Sequence, residues 1–359
     1  MQTSEQTLGH SASKERENRK RKSPPSPYEN LTQAVQRFLE EHPHAQSEKL
    51  LAALPKRWSS YPPMILLPQS TFSTHEWQDY FSVLSSDERL LFFAEVAKSL
   101  KYTHVAINGL VQSNTIRSPH ITPLYGDFGP LVEGQPTSKD FDEAFWTTSK
   151  QNGIKQTWAP MYTMFSRGNI TEKERVFTFP DVKDQEIADL YVGIGYFAFS
   201  FLKAGAKRVW GWDLNPWSVE GLRRGSEMNG WSCAVDPLDI GDMKAVVYNE
   251  DNALAIKRLD NAGVKVKHVN LGLLPSSRHS WKIAASILDD AGGWIHVHGN
   301  CKDSVIDDWR LEVTSEFQEL FGESWIINVS ATFRVKEYGP GIGHWVLDVE
   351  CHRPTSVDK

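Results

Sequence analysis

From Glu186 onward, short apolar runs alternate with stretches whose apolar residues recur at helical spacing. The alternation predicts strands and helices in turn, at residues 187–192, 195–204, 208–213 and 216–229, with later strands at 267–273 and 294–298. Strands that alternate with helices are typical of a parallel sheet with crossover helices. This half of the chain is therefore predicted to form an α/β domain.

The last part of this half carries a different pattern. Apolar runs at residues 325–335 and 344–351 are joined by the glycine-rich stretch 338–343. Glycine and proline between two apolar runs indicate a hairpin. We therefore expect the sheet to end in an antiparallel pair of strands.

The chain before residue 175 divides into two parts. Residues 1–27 hold almost no large apolar side chains, which predicts a disordered tail. The tail contains a basic cluster formed by Lys14, Arg16, Arg19, Lys20, Arg21 and Lys22. This cluster either contacts RNA, serves as a nuclear signal or is simply solvated. Residues 28–174 mix helical and strand patterns, so we expect a smaller α+β region there and the catalytic domain at 175–359.

Composition excludes several classes of protein. The three cysteines are far apart in sequence, which argues against a disulfide framework or a zinc ribbon. There is no apolar run of about 18 residues and no signal-like start, so a soluble cytoplasmic protein without membrane contact is expected. A net charge of −6 excludes nonspecific coating of nucleic acid but allows a local basic face. We expect the protein to act as a monomer.

The first strand–helix junction carries a candidate cofactor site. Gly193 and Gly195 follow the strand at 187–192, where a backbone without side chains lets a ligand approach closely. Asp213 ends the next strand, 20 residues after Gly193, and its carboxylate is placed to accept both hydroxyls of a ribose. The alternative role of Asp213 is to cap the following helix.

A third loop adds Asp251 and Asn252, which open a helical stretch after the next strand. These two residues are predicted to recognise an adenine amino group. Alternatively, they form an acidic helix cap. A third glycine in the first loop, which a pyrophosphate normally requires, is missing. Three such loops and an antiparallel final pair favour S-adenosylmethionine over a nicotinamide cofactor.

The segment 188–231 contains D-x-x-x-G-I-G-Y-F, an acidic-x-N-P and a terminal N-G. It resembles the family of enzymes that modify position 37 of tRNA, which includes guanine-N1 methyltransferases and wybutosine-synthesising enzymes. The resemblance implies a class I methyltransferase-like, Rossmann-like domain that binds S-adenosylmethionine. Residues 161–175 are similar to the stretch that precedes this domain, and the resemblance implies that Ser166 and Lys173 help to hold the cofactor.

Two further stretches distinguish branches of the family. The methyltransferase branch carries N-L-P after the fourth strand, whereas this chain has N-L-G-L-L-P-S-S at residues 270–277, and G-G-W-I-H-V-H-G-N follows at 292–300. Both are similar to the branch that transfers the 3-amino-3-carboxypropyl group of S-adenosylmethionine to 4-demethylwyosine in phenylalanine tRNA. The alternatives are a tRNA guanine-N1 methyltransferase and a noncatalytic RNA-binding subunit.

Two residues are candidates for catalysis. Arg167 lies beside Ser166, where its guanidinium is suited to a cofactor carboxylate or a tRNA phosphate, unless it pairs with Glu172 or Glu174. Asn270 ends the fourth strand and is placed to hydrogen-bond the target base, or else to cap the strand end. No metal is expected, although His296 and His298 share one face of a strand.

Binding of phenylalanine tRNA by an acidic protein requires a basic face. The candidates for this face are Lys150, Lys155, Arg167, Arg223 and Arg224. Tyr196 and Trp217 are candidate aromatics for stacking on an extruded base, with core packing as their alternative.

Overall fold

The computed structural model describes residues 25–109 and 121–354. The basic cluster of the N-terminal tail lies outside these residues. Ser26 caps helix α1 (Pro27–Glu41): its hydroxyl accepts a hydrogen bond from the Glu29 amide, and the Glu29 carboxylate accepts one from the Ser26 amide. The first helix therefore begins at Pro27, the last residue that the sequence assigned to the tail.

A four-stranded sheet and its helices form the N-terminal part. The strands are ordered β1-β2-β3-β4, with only the β2–β3 pair parallel, and are β1 (Ser59–Tyr61), β2 (Met64–Leu67), β3 (His104–Asn108) and β4 (Ile121–Tyr125). The helices are α2 (Ser47–Ala52), α3 (His75–Val83), α4 (Ser86–Leu100) and α5 (Ser138–Glu143). In α4 the apolar side chains at Phe92, Val96 and Leu100 follow helical spacing and are buried against α1 and α3.

A two-stranded hairpin links this part to the rest of the chain. It consists of β5 (Thr147–Gln151) and β6 (Ile154–Trp158), and the short helix α6 (Ile170–Arg175) follows it. The Asn229 side chain accepts a hydrogen bond from the Lys155 amide and donates one to the Lys155 carbonyl. The hairpin is thus fixed against the large domain, and the proposed domain boundary at residue 174 stays a prediction.

The large sheet has eight strands in the order β13-β14-β12-β11-β7-β8-β10-β9. Six strands are parallel: β7 (Glu186–Asp189), β8 (Arg208–Trp212), β9 (Cys233–Val235), β10 (Ala245–Tyr248), β11 (His268–Leu271) and β12 (Gly293–Lys302). The antiparallel pair β13 (Ile326–Gly339) and β14 (Ile342–His352) completes one edge. The predicted antiparallel ending is confirmed.

The helices of this domain are α7 (Ala198–Lys203), α8 (Pro216–Asn229), α9 (Ala255–Ala262), α10 (Trp281–Ile287) and α11 (Ile306–Phe321). The predicted helix at 216–229 has the observed bounds, with Asn215 as its cap and Gly230 in a left-handed conformation at its end. The helix predicted from residue 195 begins only at Ala198. Gly193 and Gly195 have φ of +54° and +84°, which places both outside helical geometry.

Apolar side chains cover both faces of the large sheet. One core lies under α9, α10 and α11, and the other lies under α7 and α8. A third cluster joins the N-terminal sheet and the hairpin to the glycine loop through Met64, Trp158 and Ile194. In the described part of the chain, none of the helices is long and apolar enough to cross a bilayer.

Gly221 in α8 permits the close contact between this helix and β6. A Cβ atom at this position would lie 2.8 Å from the Thr157 carbonyl oxygen and 3.1 Å from Ile194 Cγ2. We expect Gly221→Ala to lower the free energy of unfolding by about 1–3 kcal/mol, because overpacking outweighs the gain in helix propensity. Urea unfolding measures this change. Gly339→Ala, where the added Cβ meets nothing within 4 Å, is the control, and equal effects of both changes would contradict the argument.

Candidate active site

The site lies where the order of the parallel strands reverses, between β7 and β11. Chain connections run from β7 to β8 on one side and from β11 to β12 on the other, so the carboxyl ends of β7 and β11 border an open crevice. The loop after β7 contains Gly193 and Gly195. A Cβ atom at Gly193 would lie 2.9 Å from the Tyr196 ring, and one at Gly195 would lie 2.7 Å from the Phe199 ring. Only glycine fits this tight loop at the rim of the crevice.

Asp213 fixes the glycine loop to the end of β8. Its Oδ2 accepts a hydrogen bond from the Gly193 amide at 2.9 Å, and its Oδ1 accepts one from the Asn215 amide at 2.8 Å. Asn215, not Asp213, caps α8. Burial raises the pKa of Asp213 to about 6, although the two amide donors favour its charged form. The carboxylate therefore holds the glycine loop in place at the end of β8.

Asp189 ends β7 and faces Asn270 at the end of β11. Asn270 Nδ2 donates to Asp189 Oδ1 at 3.0 Å, and Asp189 Oδ2 is buried without a hydrogen-bond partner. Burial raises the pKa of Asp189 to about 7. Asp189 is the first residue of the D-x-x-x-G motif, but the motif alone does not identify it as a site residue. A buried acceptor without a partner at the floor of the crevice is a place where a polar ligand gains a hydrogen bond.

Asp251 and Asn252 follow β10. Asp251 is exposed and accepts a hydrogen bond from the Ala253 amide, as a cap does. Asn252 is buried, and its side chain donates to the Leu190 carbonyl at 2.8 Å and accepts from Ser280 Oγ at 3.2 Å. The Asn252 side chain thus ties this loop to the end of β7. Adenine recognition by the two residues stays a prediction.

Lys173 in α6 is buried beside the same loop. Its ammonium group donates to Gln151 Oε1 at 3.0 Å and to Gln156 Oε1 at 2.7 Å, and it lies 4.8 Å from the centre of the Phe165 ring. Gln156 Nε2 in turn donates to the Gly195 carbonyl. Burial, together with the charge of Lys336, lowers the pKa of Lys173 to about 7. The amine of Lys173 is thereby held next to the glycine loop, where a bound anion would favour its protonated form.

The segment before α6 lies across the hairpin of β13 and β14. Lys336 Nζ in β13 donates to Ser166 Oγ at 3.4 Å. Arg167 is exposed, and within the described residues its guanidinium forms no ion pair, because Glu172 bonds Arg175 instead. The predicted alternative, a surface ion pair of Arg167 with Glu172 or Glu174, is not observed among the described residues, and a role of Arg167 toward a ligand stays a prediction.

A buried charged network lies beneath this segment. Arg175 bonds the carboxylates of Glu172 and Asp348, and Asp348 Oδ1 accepts from His296 Nδ1 at 2.7 Å. His296 Nε2 meets His268 Nδ1 at 3.0 Å, and His268 Nε2 donates to the Pro180 carbonyl at 2.9 Å. Burial, with the neighbouring His296, lowers the pKa of His268 to about 3. Arg175 is the cation that both buried carboxylates share.

The two strand histidines do not form a metal site with each other. His296 joins the network of Arg175, and His298 Nδ1 lies 3.0 Å from His344 Nε2. Within the described ranges no group of three or more His, Cys, Asp or Glu side chains is arranged to hold a metal ion. Both histidines serve as hydrogen-bonded members of the core.

The sequence matches the model of a family described as the TRM5/TYW2 methyltransferase domain over residues 147–318. The tRNA wybutosine-synthesizing protein 2 of Schizosaccharomyces pombe is 42% identical over 332 residues, which cover 90% of this chain and 79% of that protein. The chain belongs to the tRNA wybutosine-synthesizing protein 2 family. The Saccharomyces cerevisiae protein of the same name is 33% identical, with 89% of this chain and 80% of that one covered.

A solved member of the wybutosine-synthesizing family shares the fold. The crystal structure of Pyrococcus horikoshii TYW2 in complex with MeSAdo superposes with a TM-score of 0.62 at 19% identity, covering 90% of this chain and all of that one. This likeness confirms the class I methyltransferase-like fold class that the sequence indicated. The placement of individual site residues rests on the geometry described above.

The structure corrects several surface predictions made for this member of the family. Arg223 and Arg224 both bond the Glu220 carboxylate, so their charges are largely neutralised. Trp217 is buried and stacks on Tyr162 with ring centres 3.8 Å apart, which leaves no open face for a base. Tyr196 donates to the Met164 carbonyl and stacks near Phe165. Lys150, Lys155 and Arg167 remain as candidates for a basic face.

Proposed function

We propose that this chain transfers the 3-amino-3-carboxypropyl group of S-adenosylmethionine to 4-demethylwyosine at position 37 of phenylalanine tRNA. The observation that carries the proposal is 42% identity over 90% of the chain with a tRNA wybutosine-synthesizing protein 2. The loop N-L-G-L-L-P-S-S at residues 270–277 supports it, because the methyltransferase branch has N-L-P there.

The residues of the crevice fit S-adenosylmethionine. Gly193 and Gly195 permit a tight loop that packs on the Tyr196 and Phe199 rings at the rim of the crevice, and Asp213 stands at the end of β8 to accept ribose hydroxyls. Asp189 Oδ2 is a buried acceptor without a partner, which suits a donor such as the cofactor's amino group. Lys173, held by two glutamine carbonyls, supplies positive charge beside the loop.

The reaction mainly requires that the cofactor and the base are held in the correct relative positions. When bound, the cofactor supplies a sulfonium that activates its methionine Cγ toward a nucleophilic carbon of the base; methylthioadenosine leaves, and the carbon that forms the new bond releases its proton to solvent. The chain decides which carbon is attacked by fixing the adenosine and the amino-acid end separately. Loss of the sulfonium charge in the transition state favours a site from which water is excluded. Asn270, held by Asp189, fixes the strand end that the base must approach.

Exposed cations of the segment before α6 and of the hairpin of β5 and β6 are the proposed contacts for the tRNA substrate. Arg167 is exposed without an ion-pair partner in the described part, and Lys150 and Lys155 lie on the neighbouring hairpin. These side chains are suited to phosphate contacts, which position the RNA without reading its sequence. Selectivity for phenylalanine tRNA and action as a monomer are parts of the proposal.

A paired labelling assay tests the proposed function. The chain is incubated with phenylalanine tRNA that carries 4-demethylwyosine and with S-adenosylmethionine labelled either in the carboxyl carbon or in the methyl group. We expect carboxyl label in the RNA and methyl label in methylthioadenosine. Methyl label in phenylalanine tRNA that lacks the tricyclic base would instead identify a guanine-N1 methyltransferase, and no transfer of either label to either tRNA would favour the noncatalytic RNA-binding subunit. Phenylalanine tRNA lacking the tricyclic base is the control substrate.

A further inference from the structure

Two lysines with no acidic partner in the described residues border the segment that contains Ser166, one from α6 and one from β13. Lys173 is buried, and Lys336 on β13 is partly buried with its ammonium group on Ser166 Oγ. Within the described residues neither lysine forms an ion pair with a carboxylate, because the neighbouring Glu172 is taken up by Arg175. Each lysine has a lowered pKa, and the charge of Lys336 contributes to that of Lys173. Like charges kept close and partly desolvated favour the binding of an anion between them.

The backbone around Lys336 is shaped to admit this side chain. A Cβ atom on Gly168 would lie 2.9 Å from Lys336 Cδ and 3.2 Å from its Nζ. The glycine therefore lets the lysine stem cross the loop from the hairpin toward Ser166. Asn169 Oδ1, in the same loop, is buried without a hydrogen-bond partner. The loop thus contains a hydrogen-bond acceptor without a partner.

The side chains that lie beside Lys336 across the sheet also lack hydrogen-bond partners. Lys336 pairs in register with His344, and His344 pairs with Asn300 on β12, so the three side chains share one face. His344 Nδ1 and both polar atoms of the Asn300 amide are buried and unpartnered. His344 itself is only 1% exposed. Buried polar atoms without partners are rare in folded proteins and mark places where a ligand or water completes the hydrogen bonding.

We infer that Lys336, together with Ser166 and Lys173, binds the carboxylate of the aminocarboxypropyl group and thereby holds that end of the cofactor during transfer. This inference rests on the proposed function and adds the hairpin of β13 and β14 to the cofactor site. A carboxylate can accept from both ammonium groups, and its negative charge makes these hydrogen bonds stronger than those of a neutral ligand. The depth of Lys173 favours a small carboxylate over a phosphate of the RNA backbone, which stays at the protein surface.

Titration calorimetry with two ligands tests the inference. S-adenosylmethionine and its decarboxylated form differ only in the carboxylate, so their comparison isolates the group that Lys336 is proposed to bind. We expect Lys336→Met to weaken S-adenosylmethionine binding at least tenfold and to change binding of the decarboxylated form less than twofold. Lys336→Arg, which keeps the charge, should retain most of the affinity. Lys282→Met removes an exposed lysine on α10 and should change neither ligand.

The remaining outcomes of these measurements would contradict either the role of Lys336 or the proposed function. Equal losses for both ligands, or no loss for either, would overturn the role of Lys336. Unchanged cofactor binding with weaker tRNA binding would assign the lysine to an RNA phosphate and would also overturn it. The native chain alone provides a second test: equal affinity for the two ligands would exclude a carboxylate site even if Lys336→Met does not fold. A native chain that binds neither ligand would contradict the proposed function itself.

Discussion

Replacing Asp213 by alanine is expected to weaken S-adenosylmethionine binding at least tenfold, about 1.4 kcal/mol in binding free energy. The change removes the acceptor proposed for the ribose. It also leaves the amides of Gly193 and Asn215 without their hydrogen-bond acceptor, so the glycine loop loses its brace. Calorimetry on the native and variant chains measures the effect.

The matched control for Asp213 is Asp242→Ala, which removes an exposed carboxylate from a loop at the opposite end of the strands. Cofactor affinity of this control should equal that of the native chain. If the Asp213 variant also keeps native affinity, the adenosine does not lie at the end of β8 and the site assignment is wrong. Far-ultraviolet circular dichroism of the variant confirms that the domain remains folded.

Replacing Arg175 by methionine is expected to lower the free energy of unfolding by about 3–5 kcal/mol. Arg175 is the shared partner of the buried carboxylates of Glu172 and Asp348. Without the guanidinium, the two buried carboxylates lose the cation that they share. Urea unfolding monitored by tryptophan fluorescence gives the difference from the midpoint and slope.

The control for Arg175 is Arg310→Met, which breaks an exposed pair with Asp307 on α11. Exposed pairs contribute little, so this change should stay within about 0.5 kcal/mol of the native chain. Adding Glu172→Gln to Arg175→Met removes one of the two carboxylates and should recover part of the loss. A loss below about 1 kcal/mol for Arg175→Met alone would show that solvent reaches the network and that its charges are not buried.

Local patterns determined much of the catalytic domain. The bounds of α8 follow from the asparagine cap, the first-turn proline and the final glycine, all of which act within a few residues of the helix. The antiparallel ending follows from two apolar runs and a glycine-rich turn between them. The late start of α7 was missed, because the tight loop depends on how Gly193 meets Asp213 across 20 residues of chain.

Candidate site residues were predictable where a motif places them at a strand end. Asp213, Gly193 and Asn270 occupy the carboxyl ends of strands, as their spacing indicated. Side-chain partners were not predictable, because they come from distant segments. Trp217 is an aromatic residue of the kind that stacks on bases. Its contact with Tyr162 in the preceding region nevertheless makes it part of the core.

The sequence by itself determined the order of strands and helices, the glycine loop, and, through its family resemblance, the class of reaction. These features depend on neighbouring residues and on short motifs. Only the tertiary structure brought Lys336 to Ser166 across 170 residues and left Asp189 with an unpaired oxygen beside Asn270. Such contacts depend on how the hairpin of β13 and β14 packs on the segment before α6, and no local pattern encodes that packing.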